Sequence, residues 1–410
     1  MPRVPQRRSA TRSRPGDDAA RIAAIDIGSN SIRQIIADVA PDGTIRIVDE
    51  MKAMPRLGAG VAETGELSGQ SMDRAIEALG RMAQLSAQLG AQHVEVVATS
   101  AVRDAANGTA FLERVRRDAG LDARIIDGTE EARLALRSAL AHFDLARGRT
   151  VVMDIGGGSL ELATAVDGVV DHLVSLPLGA LRLTEAFLRD GDLPRAVRAL
   201  RKHVRAAVRG ALPARAWRGS RVIASGGTFT NLAAMHLAQH GVTTASSVHG
   251  TQVPREAVEH ALERLSAMSA AERRSVPGLN PERADIILAG LAVAAEVLAR
   301  LDARELEVSR YGIREGILLE AARVTPAAAE PGEARERSVE ELARRCHFDE
   351  RHARQVCRLA MQLFDALGKR LECEPGDREL LADAALLHDI GYHISFDRHH
   401  KHSYHLILHA

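Results

Sequence analysis

Hydrophobic positions along the chain follow two periods in turn. Ile22-Ala-Ala-Ile-Asp26 is a short apolar run into a glycine turn, and Ile32–Val39 and Ile45–Val48 follow it, separated by Pro41-Asp-Gly43. This predicts three strands joined by tight turns. From Ser71 to Leu89 the period lengthens, with Met72, Ile76, Leu79, Met82, Leu85 and Leu89 at helical spacing, before Val94–Ala98 returns to a buried strand. A helix over 107–119, a strand over Ala123–Asp127 and a helix over Thr129–His142 continue the α/β alternation. Glu130 and Glu131 fall in the first turn of that last helix, where acidic side chains suit the helix dipole.

The series then restarts. Thr150–Asp154 runs into Ile-Gly-Gly-Gly-Ser, then Leu160–Val166, a turn at Asp167-Gly168, and Val169–Leu176. Asp26 and Asp154 stand 128 residues apart, as do Ser31 and Ser159. So long a period marks a duplicated domain, not a solenoid, and two similar lobes face to face leave both glycine turns on the walls of one cleft. A third strand, glycine turn and helix span Val222–Gln239. Helical spacing covers Arg255–Met268 and Pro281–Leu301, and Glu305–Val308 is a final strand. Alanine and proline dominate from Thr325. Beyond, Val356, Leu359, Ala360, Leu363 and Leu367 form one helical stripe and Leu380–Leu387 another. The expected division is a disordered tail over 1–20, a first lobe over 21–142, a second over 143–324, a linker over 325–337 and an all-α unit over 338–410.

A chain of 410 residues, 46% hydrophobic and 26% charged, is a folded protein too long for one globule. Its 54 basic residues balance 54 acidic ones, which excludes the strong positive field of a dedicated nucleic-acid binder and leaves any polyanion to a local patch. Lysine occurs only at positions 52, 202, 369 and 401, so nearly all the cations are arginines. Genome composition accounts for most of that bias, although the guanidinium fork also suits phosphate. Cys346, Cys357 and Cys373 form no CxxC pair or disulfide framework, which fits a reducing cytosol. The stretch 1–21 has no apolar segment of a signal peptide, and no run of about 18 apolar residues occurs, so a cytoplasmic protein with no membrane span is expected.

The two glycine turns carry the clearest chemistry. In Asp26-Ile-Gly-Ser-Asn-Ser31 and Asp154-Ile-Gly-Gly-Gly-Ser159, the amides of Gly28, Ser29, Asn30, Ser31, Gly156, Gly157, Gly158 and Ser159 can cradle phosphates. An aspartate directly before such a turn meets phosphate only through a cation or water, so Asp26 and Asp154 suggest Mg²⁺ or a nucleophilic water. One such turn is an ordinary hairpin; two at matching positions point to a site. Gly226 and Gly227, before a helix starting near Thr228, can offer amides and a positive helix end to a further phosphate; the bland reading is an ordinary strand-to-helix turn.

The strings IAAIDIGSNSIRQIIADV, ATSAVRDA, IIDGTEEARLAL, VVMDIGGGSLEL, VIASGGTFTN and YGIREGIL, in this order over about 21–320, resemble the exopolyphosphatase and guanosine pentaphosphate phosphohydrolase family. The resemblance implies an α/β fold of two actin-like (ribonuclease H-like) lobes and hydrolysis of the terminal phosphoanhydride of inorganic polyphosphate or pppGpp, with Mg²⁺ or, in its place, Mn²⁺. It implies that Glu131 activates the water, that Asp154 and Glu161 hold the metal or orient water, with Asp26 a further candidate ligand, and that Arg103 grips phosphate. A seven-residue gap alone does not place Asp154 and Glu161 in one site; the hairpin has to curve. The family reads closer to GASGT where SGGT stands here, which leaves the role of Ser225 open. Ile32 and Arg33 follow the first turn, where the family has Phe and His or Arg, so Arg33 either replaces a phosphate contact or faces solvent.

Near the C-terminus, Leu-Leu-His388-Asp389-Ile-Gly and the upstream His352 resemble the HD-type domain of longer family members, whose metals the resemblance assigns to such residues and a later aspartate. Seven of the 17 histidines follow Leu387: His388, His393, His399, His400, His402, His405 and His409. The distal aspartate is missing, so the resemblance implies an incomplete HD-like unit that binds substrate or dimerises, not a second hydrolase. The combined expectation is an exopolyphosphatase releasing orthophosphate, acting as a homodimer without nucleic-acid or membrane partners. The alternatives are a pppGpp 5′-phosphohydrolase, a (p)ppGpp- or polyphosphate-binding regulator without turnover, and, less favoured, a sugar or acetate kinase.

Overall fold

The computed structural model describes residues 19–408 apart from 42, 146, 190–192, 213–216, 243–247, 325–338, 340–341, 344–345, 369, 372 and 374–375. The expected tail, but for its last two residues, and the expected linker lie outside the described residues. The chain divides into two compact units, 1–328 and 329–410.

The first unit holds two mixed sheets of the same plan. In the first, β1 (Ala20–Ile27), β2 (Ile32–Val39), β3 (Ile45–Ala53), β4 (His93–Ala98) and β5 (Ala123–Ile125) lie in the order β3-β2-β1-β4-β5. In the second, β6 (Arg149–Ile155), β7 (Leu160–Val166), β8 (Val169–Leu176), β9 (Arg221–Ser225), β10 (Thr251–Pro254) and β11 (Glu305–Val308) lie in the order β10-β11-β9-β6-β7-β8. Each sheet has an antiparallel three-strand meander and then parallel strands on its other side, to which the second sheet adds β10 as an antiparallel edge. The duplication expected from the 128-residue repeat is present in the topology. Residues 22–25 and 151–153 are buried on both faces, as continuous apolar runs in central strands require.

Helices α1 (Gly69–Gln88), α2 (Ser100–Asp104) and α3 (Gly108–Arg114) flank the first sheet. The helix expected over 107–119 is α3 continued by a π turn over Val115–Ala119. Helix α4 (Gly128–His142) follows the first sheet in sequence but packs Ala132, Ala135, Leu136 and Ala139 against Val152, Ala163 and Ala165 of the second. By packing it therefore belongs to the second lobe, not to the 21–142 segment in which sequence order placed it. Around the second sheet come α5 (Ala180–Phe187), α6 (Leu193–Ala211), α7 (Gly227–Gln239), α8 (Arg255–Ser266) and α9 (Ile287–Leu301). Helix α10 (Ile313–Ala321) returns the exchange, setting Ile317 and Leu318 against Ile22, Ala24, Ile35 and Ala37 of the first sheet. The two exchanged helices cross so closely that a Cβ on Gly316 would lie 2.1 Å from the Leu134 carbonyl oxygen. Neither lobe is complete without the other.

The single helix expected over Pro281–Leu301 is broken. Asn280 caps a 3₁₀ turn, Pro281–Arg283, and α9 starts only at Ile287. Helix α9 is buried almost all round, and its one carboxylate, Glu296, is met by Arg201 and Arg205 of α6 at 2.7 and 2.8 Å. The sequence reading passed over α6 itself, although Val197, Leu200, Val204 and Val208 form its buried stripe.

The second unit contains α11 (Glu350–Leu367), α12 (Asp377–Leu387) and α13 (His399–Leu408) around a small core of Ala343, Cys346, Leu387 and Ile390. The expected leucine stripe of α11 is open: Leu359, Leu363 and Leu367 are all exposed. Among the described residues no helix is long and apolar enough to cross a membrane.

Candidate active site

Both glycine turns open onto one cavity of about 110 Å³ between the sheets, lined by Gly28, Ser29, Asn30 and Ser31 from one side and by Gly156, Gly157, Gly158 and Ser159 from the other. The turns nearly touch. A Cβ on Gly157 would stand 2.9 Å from the Asn30 nitrogen, and one on Gly158 would stand 2.0 Å from Ser100 Oγ, so the approach depends on the missing side chains. Ser29 Oγ and Ser100 Oγ share a 2.8 Å hydrogen bond at this seam. Both polar atoms of the buried Asn30 side chain, and Asp26 Oδ1, have no protein partner. Buried polar atoms without partners at a cavity wall are what a site built for a polar ligand leaves open.

Strand register explains the carboxylates. Asp154 and Glu161 are direct cross-strand partners in the β6–β7 hairpin, so the tight turn itself brings them together and no special curvature is required. Ser175 of β8 donates to Glu161 at 2.8 Å. Helix α4 then sets Glu131 beside them: Asp127 caps it by accepting from the Glu130 amide at 2.8 Å, and a Cβ on Gly128 would stand 2.2 Å from Ser175 Cβ, which fixes how close the first turn comes to β8. Glu131 points inward and is 8% exposed, whereas Glu130 pairs with Arg124 on the outside. Arg103, from α2, donates to Glu131 Oε2 at 3.3 Å and to the Ile126 carbonyl at 2.9 Å. It reaches the site through Glu131 and is not a wall of the cavity.

Gly226 and Gly227 line the cavity too. Gly226 has φ +100°, and a Cβ there would fall 2.7 Å from Asp154 Oδ1. Thr228, grouped with them in sequence, faces α9 instead: a Cβ on Gly290 would lie 2.3 Å from Thr228 Oγ1, and Thr230 is the threonine that lines the cavity. Ser225 lies opposite Asp154 in the β6–β9 register and is buried.

Burial sets the electrostatics. It raises Asp26 to about 6, with Arg33 and Arg314 pulling the other way, and it holds Asp154 above the usual range. Glu131 is pushed well up by burial and by the neighbouring Glu161 and Asp26, against the pull of Arg103, and Glu161 is pushed up by burial as well. The sequence reading missed the counter-charges. Arg33 is not in solvent: it lines the cavity as the cross-strand partner of Asp26, its guanidinium pulled down by burial and by Arg314. The broken helix delivers Arg283, whose guanidinium lies over Gly227 where a Cβ would stand 1.9 Å from its Cζ, and burial with Arg33 pulls it down to about 10. The signal was the Asn280-Pro-Glu-Arg283 cap. Arg310 and Arg314, in and beside the YGIREGIL string, also line the cavity and an adjoining pocket of about 570 Å³ that contains Lys52.

Buried, mutually repelling carboxylates and buried guanidiniums in one cavity suit a divalent cation together with an oligoanion. Asp26 and Asp154, with the open Oδ1 of Asp26, fit a cation held by one or two carboxylates whose other ligands are phosphate oxygens and water.

Residues 35–324 match the model of the Ppx/GppA phosphatase family, and residues 334–410 match Ppx/GppA phosphatase, domain III. Exopolyphosphatase 1 of Mycobacterium leprae is 31% identical over 307 residues, which covers 73% of this chain and 88% of that protein. Exopolyphosphatase 1 of Mycobacterium tuberculosis is 32% identical over 309 residues, 73% and 87% of the two chains. Among solved structures, the Aquifex aeolicus Ppx/GppA family member superposes with a TM-score of 0.63 at 30% identity, over 74% of this chain and 98% of that one. An exopolyphosphatase of Cytophaga hutchinsonii shares the fold at a TM-score of 0.69 and 24% identity, over 75% of this chain and all of that one. On the family match, over most of its length, this chain belongs to the Ppx/GppA phosphatase family.

Proposed function

We propose that this chain is an exopolyphosphatase that removes the terminal phosphate of inorganic polyphosphate. The duplicated sheets around a central cleft support the actin-like reading of the two lobes, and the names of the relatives support the substrate. The observation that carries the proposal is the charge layout. Glu131, Glu161, Asp154 and Asp26 line one cavity together with Arg33, Arg283, Arg310 and Arg314, and the four arginines also line the wider pocket with Lys52. Four arginines shared between the cavity and the adjoining pocket, which Glu50 and Glu315 also line, suit a polyanion longer than one phosphate.

The glycine-turn amides and the open Asn30 amide hold the terminal phosphate, and Arg33 and Arg283 hold those behind it. Glu131, ionised, takes a proton from water as the water oxygen bonds to the terminal phosphorus; the bridging P–O bond breaks and the shortened chain leaves as an anion. Arg103 favours the ionised form of Glu131 and fixes its direction. Mg²⁺ held by Asp26 and Asp154, with Glu161 across the hairpin orienting water, would neutralise phosphate charge. No covalent enzyme intermediate is required.

Released orthophosphate from long polyphosphate and from pppGpp, each with Mg²⁺, tests the reading. A kcat/KM at least about tenfold higher on polyphosphate is expected. A preference for pppGpp would move the activity to the nucleotide, and release from neither would favour a binding regulator.

A further inference from the structure

Arg283 enters the cavity from a turn, and that turn has to be held. The guanidinium lies over Gly227, where an added Cβ would stand 1.9 Å from Cζ, 2.0 Å from Nη2 and 2.3 Å from Nη1. Its backbone belongs to the 3₁₀ turn Pro281–Arg283, a piece too short to hold itself. Arginine has a long rotatable stem, so the place its charge takes depends first on where this turn stands.

One side chain ties the turn to the floor beneath the guanidinium. Asn231, in α7, donates from Nδ2 to the Gly227 carbonyl at 2.7 Å, and its Oδ1 accepts from the Asn280 backbone N–H at 2.6 Å. These partners fix which end of the amide is which, since a carbonyl has to meet the nitrogen and an N–H the oxygen. Asn280 is in turn the cap of the 3₁₀ turn. Its own Oδ1 accepts from the Glu282 amide at 2.9 Å, and its carbonyl accepts from the Arg283 amide at 2.9 Å. The path from Gly227 through Asn231 and Asn280 to Arg283 therefore closes on Gly227 again.

The residue type suits this task and not its helix. Asparagine is unfavourable in a helix interior, where its amide competes with the backbone. Here it is 9% exposed, and its amide joins a carbonyl of its own helix to an N–H 49 residues away in the chain. Aspartate would set a second acceptor against the Gly227 carbonyl, and an apolar side chain would leave both backbone groups without this partner. Asn231 also lines the wider pocket beside Arg283.

We infer that Asn231 is a positioning residue for substrate binding, which acts through Arg283 by holding its guanidinium against the phosphates behind the terminal one. The inference rests on the reading of the cleft as a polyphosphate site. Its consequence is selective. The terminal phosphate is met by the amides of the two hairpin turns and by Asn30, so loosening Arg283 weakens ligands of several phosphates and spares orthophosphate.

The full-length wild type, Asn231→Ala, Arg283→Gln and the double variant are compared with Mg²⁺ present. Calorimetry reads the Kd of tripolyphosphate and of orthophosphate, and phosphate release from polyphosphate gives kcat and KM. Displacing a charge-assisted contact should raise the tripolyphosphate Kd and the polyphosphate KM about five- to tenfold in Asn231→Ala, with kcat and the orthophosphate Kd within about twofold of the wild type. In the Arg283→Gln background the same change should add less than about twofold, because no guanidinium is left to position, whereas in an Arg310→Gln background the full loss should remain. Equal weakening of both ligands, or losses that simply multiply in the double variant, would make Asn231 a structural residue and overturn the inference. Should Asn231→Ala prove insoluble, Asn231→Ser takes its place under the same criteria. Turnover is read separately: a wild type that releases no phosphate would refute the hydrolysis, while the tripolyphosphate comparison still decides the role of Asn231.

Discussion

The hairpins β1–β2 and β6–β7 have the same backbone and opposite chemistry. In each, an aspartate is the last residue but one of the first strand and its direct partner stands seven residues later, Asp26 with Arg33 and Asp154 with Glu161. Arg33 and Glu161 are thus the same position of the duplicated frame. In the first hairpin a buried guanidinium pulls down on its aspartate, which comes to rest at about 6. In the second, the aspartate's partner is a serine-held carboxylate, itself pushed up by burial and by Asp154, and α4 brings Glu131 beside it. On the proposed function, symmetry would supply two phosphate cradles and the single Arg/Glu difference would divide the labour, one wall attracting the anion and the other gathering the carboxylates for metal and water.

Neutralising the second wall should cost the most. Glu131→Gln removes the proton acceptor and leaves both turns intact, so kcat should fall on the order of 10²-fold or more with little change in KM, read from phosphate release. Near-normal turnover would remove Glu131 from the reaction. On the first wall the loss should take the other form. Arg33→Gln deletes a buried charge-assisted contact, worth about 1.5–3 kcal/mol, and should raise KM for polyphosphate roughly 10- to 100-fold while sparing most of kcat. If Arg33→Gln lowered kcat and left KM alone, the division of labour between the hairpins would be wrong.

The duplicated hairpins were legible in the sequence because short apolar runs, glycine turns and a constant offset are local signals. Asp26 and Asp154 could be named for the same reason, whereas Glu131 and Glu161 came only from the resemblance to the family. What escaped depends on packing. Helix α4 belongs to the second sheet because Ala132 and Leu136 fit Val152 and Ala163, a match between segments far apart in the chain. Arg283 enters the site only because Asn280 and Pro281 break a helix that apolar spacing alone would continue. Thr228 and Thr230 stand two residues apart and so on opposite sides of α7, and only the close pass of Gly290 by Thr228 shows which of them faces the cleft. The register pairing of Asp26 with Arg33 could have been counted from the turn, since the same seven-residue step joins Asp154 and Glu161.

A smaller effect should separate the two arginines that face carboxylates. Protonated Glu131 cannot accept the water's proton, so kcat/KM should be low in acid and rise as pH climbs through its raised pKa. Arg103 lowers that pKa, and Arg103→Gln should therefore move the acid limb to higher pH. Arg33 acts on Asp26 and is not among the groups that shift Glu131, so Arg33→Gln should leave this limb in place. A limb that moved equally in both variants would mean that the two walls titrate as one.

The smallest effect is on stability. Asp26 sits at about 6 in the folded chain against an ordinary value near 3.9, so the native state holds its proton more tightly than the unfolded chain does. Below about pH 4 both states are protonated and the group costs nothing. As pH rises from about 4 to about 6 the unfolded chain gives up the proton that the native state keeps, so native stability falls by roughly 3 kcal/mol and then levels off above about 6. Asp26→Asn removes that cost while keeping the shape, and its Tm should exceed the wild type's by a few degrees at pH 7, with the gap closing toward pH 4. Catalysis should fall in the same variant, since a carboxylate kept charged against burial is the kind of strain a site holds for its ligand. A lower Tm for Asp26→Asn at pH 7 would mean that the attraction of Arg33 outweighs the burial, and that the first hairpin is an ion pair in its own right and not half of a divided site.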